Sequence, residues 1–146
     1  MTLPVGTAAP AFTARDTHGN IVKLSDFPGK TLVLYFYPKD DTSGCTKEAC
    51  SFRDSYRQFQ NQNIAILGVS RDDEVSHQNF TRKHNLPFPL LADVDGSIAK
   101  AYNVQKGDKA KRVTYVIDSL GRIAQVYEGE NLNTATHGAD ILATLR

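Results

Sequence analysis

Only two of the 146 residues are cysteine, so a disulfide-dense scaffold is excluded, and a reducing compartment would not keep a purely structural pair oxidised. A surplus of one charge is also missing. Lys and Arg number 17 against 16 Asp and Glu, a formal net charge of +1. An extended nucleic-acid footprint needs many uncompensated basic residues on one surface, so no nucleic-acid partner is expected. No apolar run approaches the roughly 20 residues that span a bilayer, and the opening MTLPVGTAAP lacks the basic segment and apolar run of a secretory signal. Neither a membrane nor export is expected, and the chain reads as cytoplasmic. Repeats, low-complexity tracts, inter-domain linkers, a phosphate loop and a dinucleotide fingerprint are all lacking. The four histidines, His18, His77, His84 and His137, form no metal motif. His77 and His84 lie two helical turns apart, a packing or solvated arrangement rather than a shared ligand pair. No metal or other cofactor is expected. What remains is a globular composition, 40% hydrophobic and 23% charged, sized for one domain over residues 1–146.

The pattern along the chain alternates strands and helices. Phe12–Arg15 and Ile21–Leu24 flank the turn Thr17–Asn20 and predict an N-terminal hairpin. After the Pro28-Gly29 turn, Thr31–Tyr37 reads as a strand buried on both faces, ended by Pro38. From Cys45, apolar or weakly polar residues recur at Ala49, Phe52, Tyr56 and Phe59, one face of a helix. Ile64–Val69 predicts a second buried strand, and the next segment, carrying Val75 and Phe80, has Asp72 or Asp73 as its cap. Phe88–Leu91 reads as a short strand and Ile98–Tyr102 as a short helix. Val113–Ile117 and Ile123–Tyr127 predict a late hairpin, and Ala139–Leu145 a last helix. The polar segment Gln105–Lys111 reads as an exposed loop. About five to seven strands with covering helices define an α/β sandwich.

The stretch Pro38 to Cys50 carries the chemistry. With Thr42 as cap, Cys45 lies three residues inside a helix, where unpaired backbone N–H groups favour thiolate over thiol. Gly44 keeps the approach narrow for a small substrate, and the Thr42 hydroxyl can serve both the cap and an oxygen of a bound peroxide. Cys50 falls on a wetter flank with Arg53, Asp54 and Arg57. Five steps along an intact helix separate the Cα atoms by roughly 8.5 Å. A disulfide needs less than about 7 Å, so joining the two cysteines requires the helix to unwind. Taken alone, the pair is open between inert packing and redox chemistry, and zinc would need two further ligands that no nearby motif supplies. Lys47 and Glu48 read as helix-surface residues.

The run YFYPKDDTSGCTKEACSFRD, Tyr35 to Asp54, resembles the peroxiredoxins, specifically the bacterioferritin comigratory protein or peroxiredoxin Q branch. Pro38, Thr42 and Cys45 match the family's Pro-x-x-x-Thr-x-x-Cys pattern. Similarity extends from Gly6, Ala9, Pro10 and Phe12 through Phe88–Gly96 and Arg112–Gly121 to the terminal helix. The resemblance implies a thioredoxin-like fold: a central mixed β-sheet flanked by helices, with an N-terminal β-hairpin. It implies a thiol peroxidase reducing hydrogen peroxide and organic hydroperoxides. Cys45 would be the peroxidatic residue, Cys50 the resolving one, and Arg112 the pocket's cation, with thioredoxin or another dithiol as reductant. The chain would act as a monomer or a weak dimer. Ser43 departs from the branch, which commonly has Pro there. Two other readings of the same cysteines are a general thiol-disulfide oxidoreductase, whose usual spacing is Cys-x-x-Cys, and a redox-sensing binding protein.

Overall fold

The computed structural model describes residues 1–145. In chain order the elements are β1 (Thr13–Asp16), β2 (Ile21–Lys23), β3 (Thr31–Phe36), α1 (Ser43–Asn61), β4 (Ile64–Ser70), α2 (Glu74–His84) and β5 (Leu90–Ala92). Then follow α3 (Ser97–Ala101), β6 (Gln105–Lys106), β7 (Lys109–Ala110), β8 (Val113–Ile117), β9 (Ile123–Glu128) and α4 (His137–Thr144). Seven strands form one sheet in the order β2, β1, β5, β4, β3, β8, β9. Its centre is parallel, β3 with β4 and β4 with β5, while the pairings towards both edges are antiparallel. The N-terminal hairpin forms as predicted and is more than a flap, because β1 also pairs with β5 and so extends the main sheet.

β3 is apolar along its length because both faces of the sheet are covered. Leu32, Leu34 and Phe36 pack in one layer with Ile98, Tyr102 and Tyr115, whereas Val33, Tyr35 and Tyr37 meet Phe52 and Phe59 of α1, Phe80 of α2 and Ile141 of α4. Each such aromatic or branched side chain contributes roughly 1.5–3 kcal/mol on burial. Cys45 lies in the second layer, so the helical stripe read from the sequence is the face that docks α1 on the sheet. Asp73, rather than Asp72, caps α2 and accepts from Ser76 N at 2.9 Å. Val75, in contrast, is exposed. One correction concerns Gln105–Lys111. It is not a loop throughout, because β6 and β7 pair across Gly107, whose φ of +60° suits a glycine turn, and Ala110 is buried in the core.

These features define the thioredoxin-like α/β fold: a mixed sheet with helices on both faces and an N-terminal hairpin. No helix among the described residues is long and apolar enough to cross a membrane.

Candidate active site

β3 ends at Phe36, and Pro38 to Asp41 form the connection into α1. Asp41 takes the left-handed conformation with φ of +61°, which Asp tolerates better than most residues. Thr42 is the N-cap by backbone geometry, and Ser43, Gly44 and Cys45 are the first three helical residues. The expectation of a side-chain cap is corrected here. The Thr42 hydroxyl turns away from the helix and donates to Lys39 O at 2.8 Å. The hydroxyl's one hydrogen is thereby used, and its lone pairs stay free to accept.

Cys45 is 1% exposed, while Cys50, on the same unbroken helix, is half-buried, and both thiols are free. The different surroundings expected of the two cysteines are observed. The intact helix retains the roughly 8.5 Å Cα separation of ideal geometry, beyond disulfide reach. Arg112 sits in the short connection before β8, and its Nη2 donates to Cys45 Sγ at 3.3 Å. Gly44 makes room for it: a Cβ on that residue would lie 3.0 Å from Arg112 Nη2. Read from the sequence as an opening for substrate, Gly44 here makes room for the guanidinium.

Glu48 is the main revision. Read from the sequence as a helix-surface residue, it is fully buried, and its Oε1 accepts from Arg112 Nη1 at 2.8 Å. The physical reason is helical spacing. Glu48 stands three residues after Cys45, on the same side of α1, and the other cover on that side is α4. Burial pushes its carboxyl up to about 7, against the lowering pull of Arg112. On α4, His137 is also fully buried; its Nε2 lies 2.8 Å from Thr114 Oγ1 and 3.7 Å from Glu48 Oε2. Burial pushes the imidazole down to about 4; the nearby Asp140 opposes that shift and Arg112 adds to it. For Arg112, burial works against the charge, yet Glu48 and the Cys45 sulfur outweigh it and the net shift is upward.

The structure therefore brings Cys45 and Arg112 together, places Thr42 at the mouth of the same helical turn, leaves Cys50 on the flank, and sets half-buried Pro38 at the end of β3. Glu48 and His137 had no distinguishing signal in the sequence beyond helical phase. Their roles depend on α4 docking against α1, a contact between distant parts of the chain.

A cysteine at a helix start, held by an arginine on a thioredoxin-like sheet, defines a thiol-based oxidoreductase. The AhpC/TSA family model matches residues 5–126. Peroxiredoxin Bcp of Bacillus subtilis is 44% identical, the alignment covering 100% of this chain and 97% of that protein. Two solved structures superpose closely. Peroxidoxin BcpB from Mycobacterium tuberculosis does so with a TM-score of 0.90 at 32% identity, and a PrxQ mutant from Xylella fastidiosa with 0.91 at 30%, each covering 99% of this chain and 96% of the other. The chain belongs to the AhpC/TSA peroxiredoxin family, in its bacterioferritin comigratory protein or peroxiredoxin Q branch. It is a thiol peroxidase of that branch, with a peroxide as substrate and a thioredoxin-type dithiol as reductant.

Proposed function

We propose that Cys45 is the peroxidatic nucleophile and that Arg112, Thr42, Pro38 and Cys50 complete the machinery. The observation that carries this is the 3.3 Å contact from Arg112 Nη2 to Cys45 Sγ at the first turn of α1. A guanidinium and the helix N-terminus both favour a negative sulfur. Thr42, its hydrogen already given to Lys39 O, accepts the peroxide's O–H, and Pro38 holds the end of β3 in place. The thiolate attacks the terminal oxygen. The S–O bond forms, the O–O bond breaks, and the departing oxygen leaves as water or alcohol once protonated, its charge stabilised by Arg112 and the backbone N–H groups.

Cys45 sulfenic acid is then attacked by Cys50 thiolate. The S–S bond forms, the S–O bond breaks and water leaves, after the first turns of α1 unwind. A dithiol returns both cysteines to thiols, and we assign thioredoxin as the usual donor. We further propose that the enzyme is a cytoplasmic monomer acting as one domain, on hydrogen peroxide and organic hydroperoxides alike.

Mixing reduced protein with stoichiometric peroxide in a stopped-flow instrument, followed by intact mass, tests the scheme. Fast oxidation ending in a mass two hydrogens lower, with Cys45 and Cys50 joined, is expected. Cys45→Ser should abolish the fast phase. Cys50→Ser should keep the phase and end at sulfenic or higher oxides. Undiminished thioredoxin-dependent turnover by Cys50→Ser would remove the resolving role.

A further inference from the structure

Away from the sulfur, the tip of β4 and the start of α2 hold a polar cluster, with Asp40 and His77 buried and Asp72 half-buried, that the scheme above does not use. Asp40, Asp72 and His77 bring one nitrogen or oxygen each within 4.8 Å of one another, and protein partners engage each of these atoms. His77 is fully buried. Its Nε2 faces Leu91 O at 2.9 Å, and a carbonyl only accepts, so that nitrogen carries a hydrogen. Its Nδ1 lies 2.7 Å from Asp40 Oδ2, within hydrogen-bond distance. Asp40 also accepts from Tyr37 Oη at 2.6 Å and from Ser76 Oγ at 2.8 Å. The side chain is thus gripped by Tyr37, just past β3, and by α2 together.

The backbone of the same residue is where the consequence falls. Asp40 N donates to Asp72 Oδ2 at 2.9 Å. That N–H and the Lys39 carbonyl belong to one peptide group, and the Lys39 carbonyl is the acceptor of the Thr42 hydroxyl hydrogen at 2.8 Å. A carboxylate therefore pulls on one end of a peptide while Thr42 donates to the other. Hydrogen bonds linked in this way polarise one another, and the carbonyl becomes a better acceptor.

We propose that Asp72 and His77 are positioning residues for peroxide reduction, fixing the Lys39-Asp40 peptide so that the Thr42 hydroxyl points its lone pairs at the incoming peroxide. Asp72 acts on the peptide's N–H, and His77 locks the Asp40 side chain that keeps the peptide in place. Neither residue touches substrate or sulfur. This inference rests on the role given above to Thr42.

The test measures two rates on folded, reduced protein: reaction with hydrogen peroxide, and alkylation by iodoacetamide, which reads the reactivity of Cys45 without using Thr42. Cys50→Ser is the background, so that only Cys45 reports. Asp72→Ala should slow the peroxide reaction about five- to tenfold, the worth of one hydrogen bond, and leave alkylation within about twofold. Asp72→Asn, which keeps an acceptor oxygen, should recover most of the loss. His77→Gln should act in the same direction. In a Thr42→Val background, Asp72→Ala should slow the peroxide reaction no further, because the group it orients is gone. Additive losses, a parallel fall in alkylation, or an unchanged peroxide rate in Asp72→Ala would each overturn the proposal. If Thr42→Val itself reacts normally with peroxide, the role of Thr42 fails first and takes this inference with it; if only Asp72→Ala is silent, the function stands and the inference alone falls.

Discussion

Arg112 serves two masters, Cys45 Sγ at 3.3 Å through Nη2 and Glu48 Oε1 at 2.8 Å through Nη1. A lysine offers a single ammonium and cannot reproduce that fork. Arg112→Ala and Arg112→Lys should each slow peroxide reduction by about 100-fold or more, as loss of an oriented donor to developing charge does elsewhere, read from stopped-flow oxidation of reduced protein. The buried pair behind Arg112 makes a second, pH-dependent prediction. The Glu48 carboxyl titrates near 4.5 when unfolded and at about 7 in the fold, so the native state holds the extra proton and stability falls as pH rises between those values. His137, at 6.5 unfolded and about 4 folded, is neutral in the native state while the unfolded chain is charged, so stability rises from pH 4 to pH 6.5. Over most of the window the slopes oppose each other. Glu48→Gln should unmask the rise and His137→Gln the fall, measured by urea denaturation across about pH 4 to pH 8. Identical slopes in the parent and both variants would contradict the assignment.

At the scale of the element, the proposed scheme asks α1 to be firm enough to present Cys45 and weak enough to open towards Cys50. Ser43 bears on that balance. It is the first helical residue, where a backbone N–H has no intrahelical acceptor, and Thr42 before it is extended, with φ of −91° and ψ of 158°. That is the backbone a residue before proline needs, so Ser43→Pro should fit without strain. It should raise stability by about 0.4–1 kcal/mol in urea titration. Disulfide formation after peroxide should also slow, as followed by mass spectrometry. The cover that α4 lays over α1 is held differently. Gly138 N donates to Ser51 Oγ at 2.8 Å, and a Cβ on Gly138 would come within 2.7 Å of Ser51 O. Gly138→Ala should therefore cost about 1–3 kcal/mol by forcing α4 off α1. The site would loosen with it, because His137 rides on the same helix.

At the scale of the whole molecule, the large exposed apolar residues include Val5 and Ile21 near the N-terminus, Leu120 in the turn between β8 and β9, and Val75 and Val94, which line one shallow depression beside α2; a pair of valines is a patch of the size that monomers carry without a partner. Sedimentation of the reduced protein at micromolar concentration should accordingly find one chain; a stable dimer would overturn the monomeric reading. The buried strands, the α1 stripe from Cys45 to Phe59 and the N-terminal and β8–β9 hairpins were legible in the sequence, because side-chain period and turn residues are local properties. The stretch from Pro38 to Cys50 was legible for the same reason: Pro38, Thr42, Gly44 and both cysteines stand at fixed spacing along the entry to α1 and its first two turns. Lys47 beside Glu48 shows where that reading stops, since adjacent charged residues on one helix look alike until a neighbour covers one of them. The sequence by itself determined which segments are strands and helices and that Cys45 stands in the first turn of α1. Only the tertiary structure decided that Glu48 and His137 are buried behind Arg112, and that Asp72 and His77 hold the peptide serving Thr42. These groups lie far apart along the chain, and burial and hydrogen bonding between distant segments leave no periodic trace in either one.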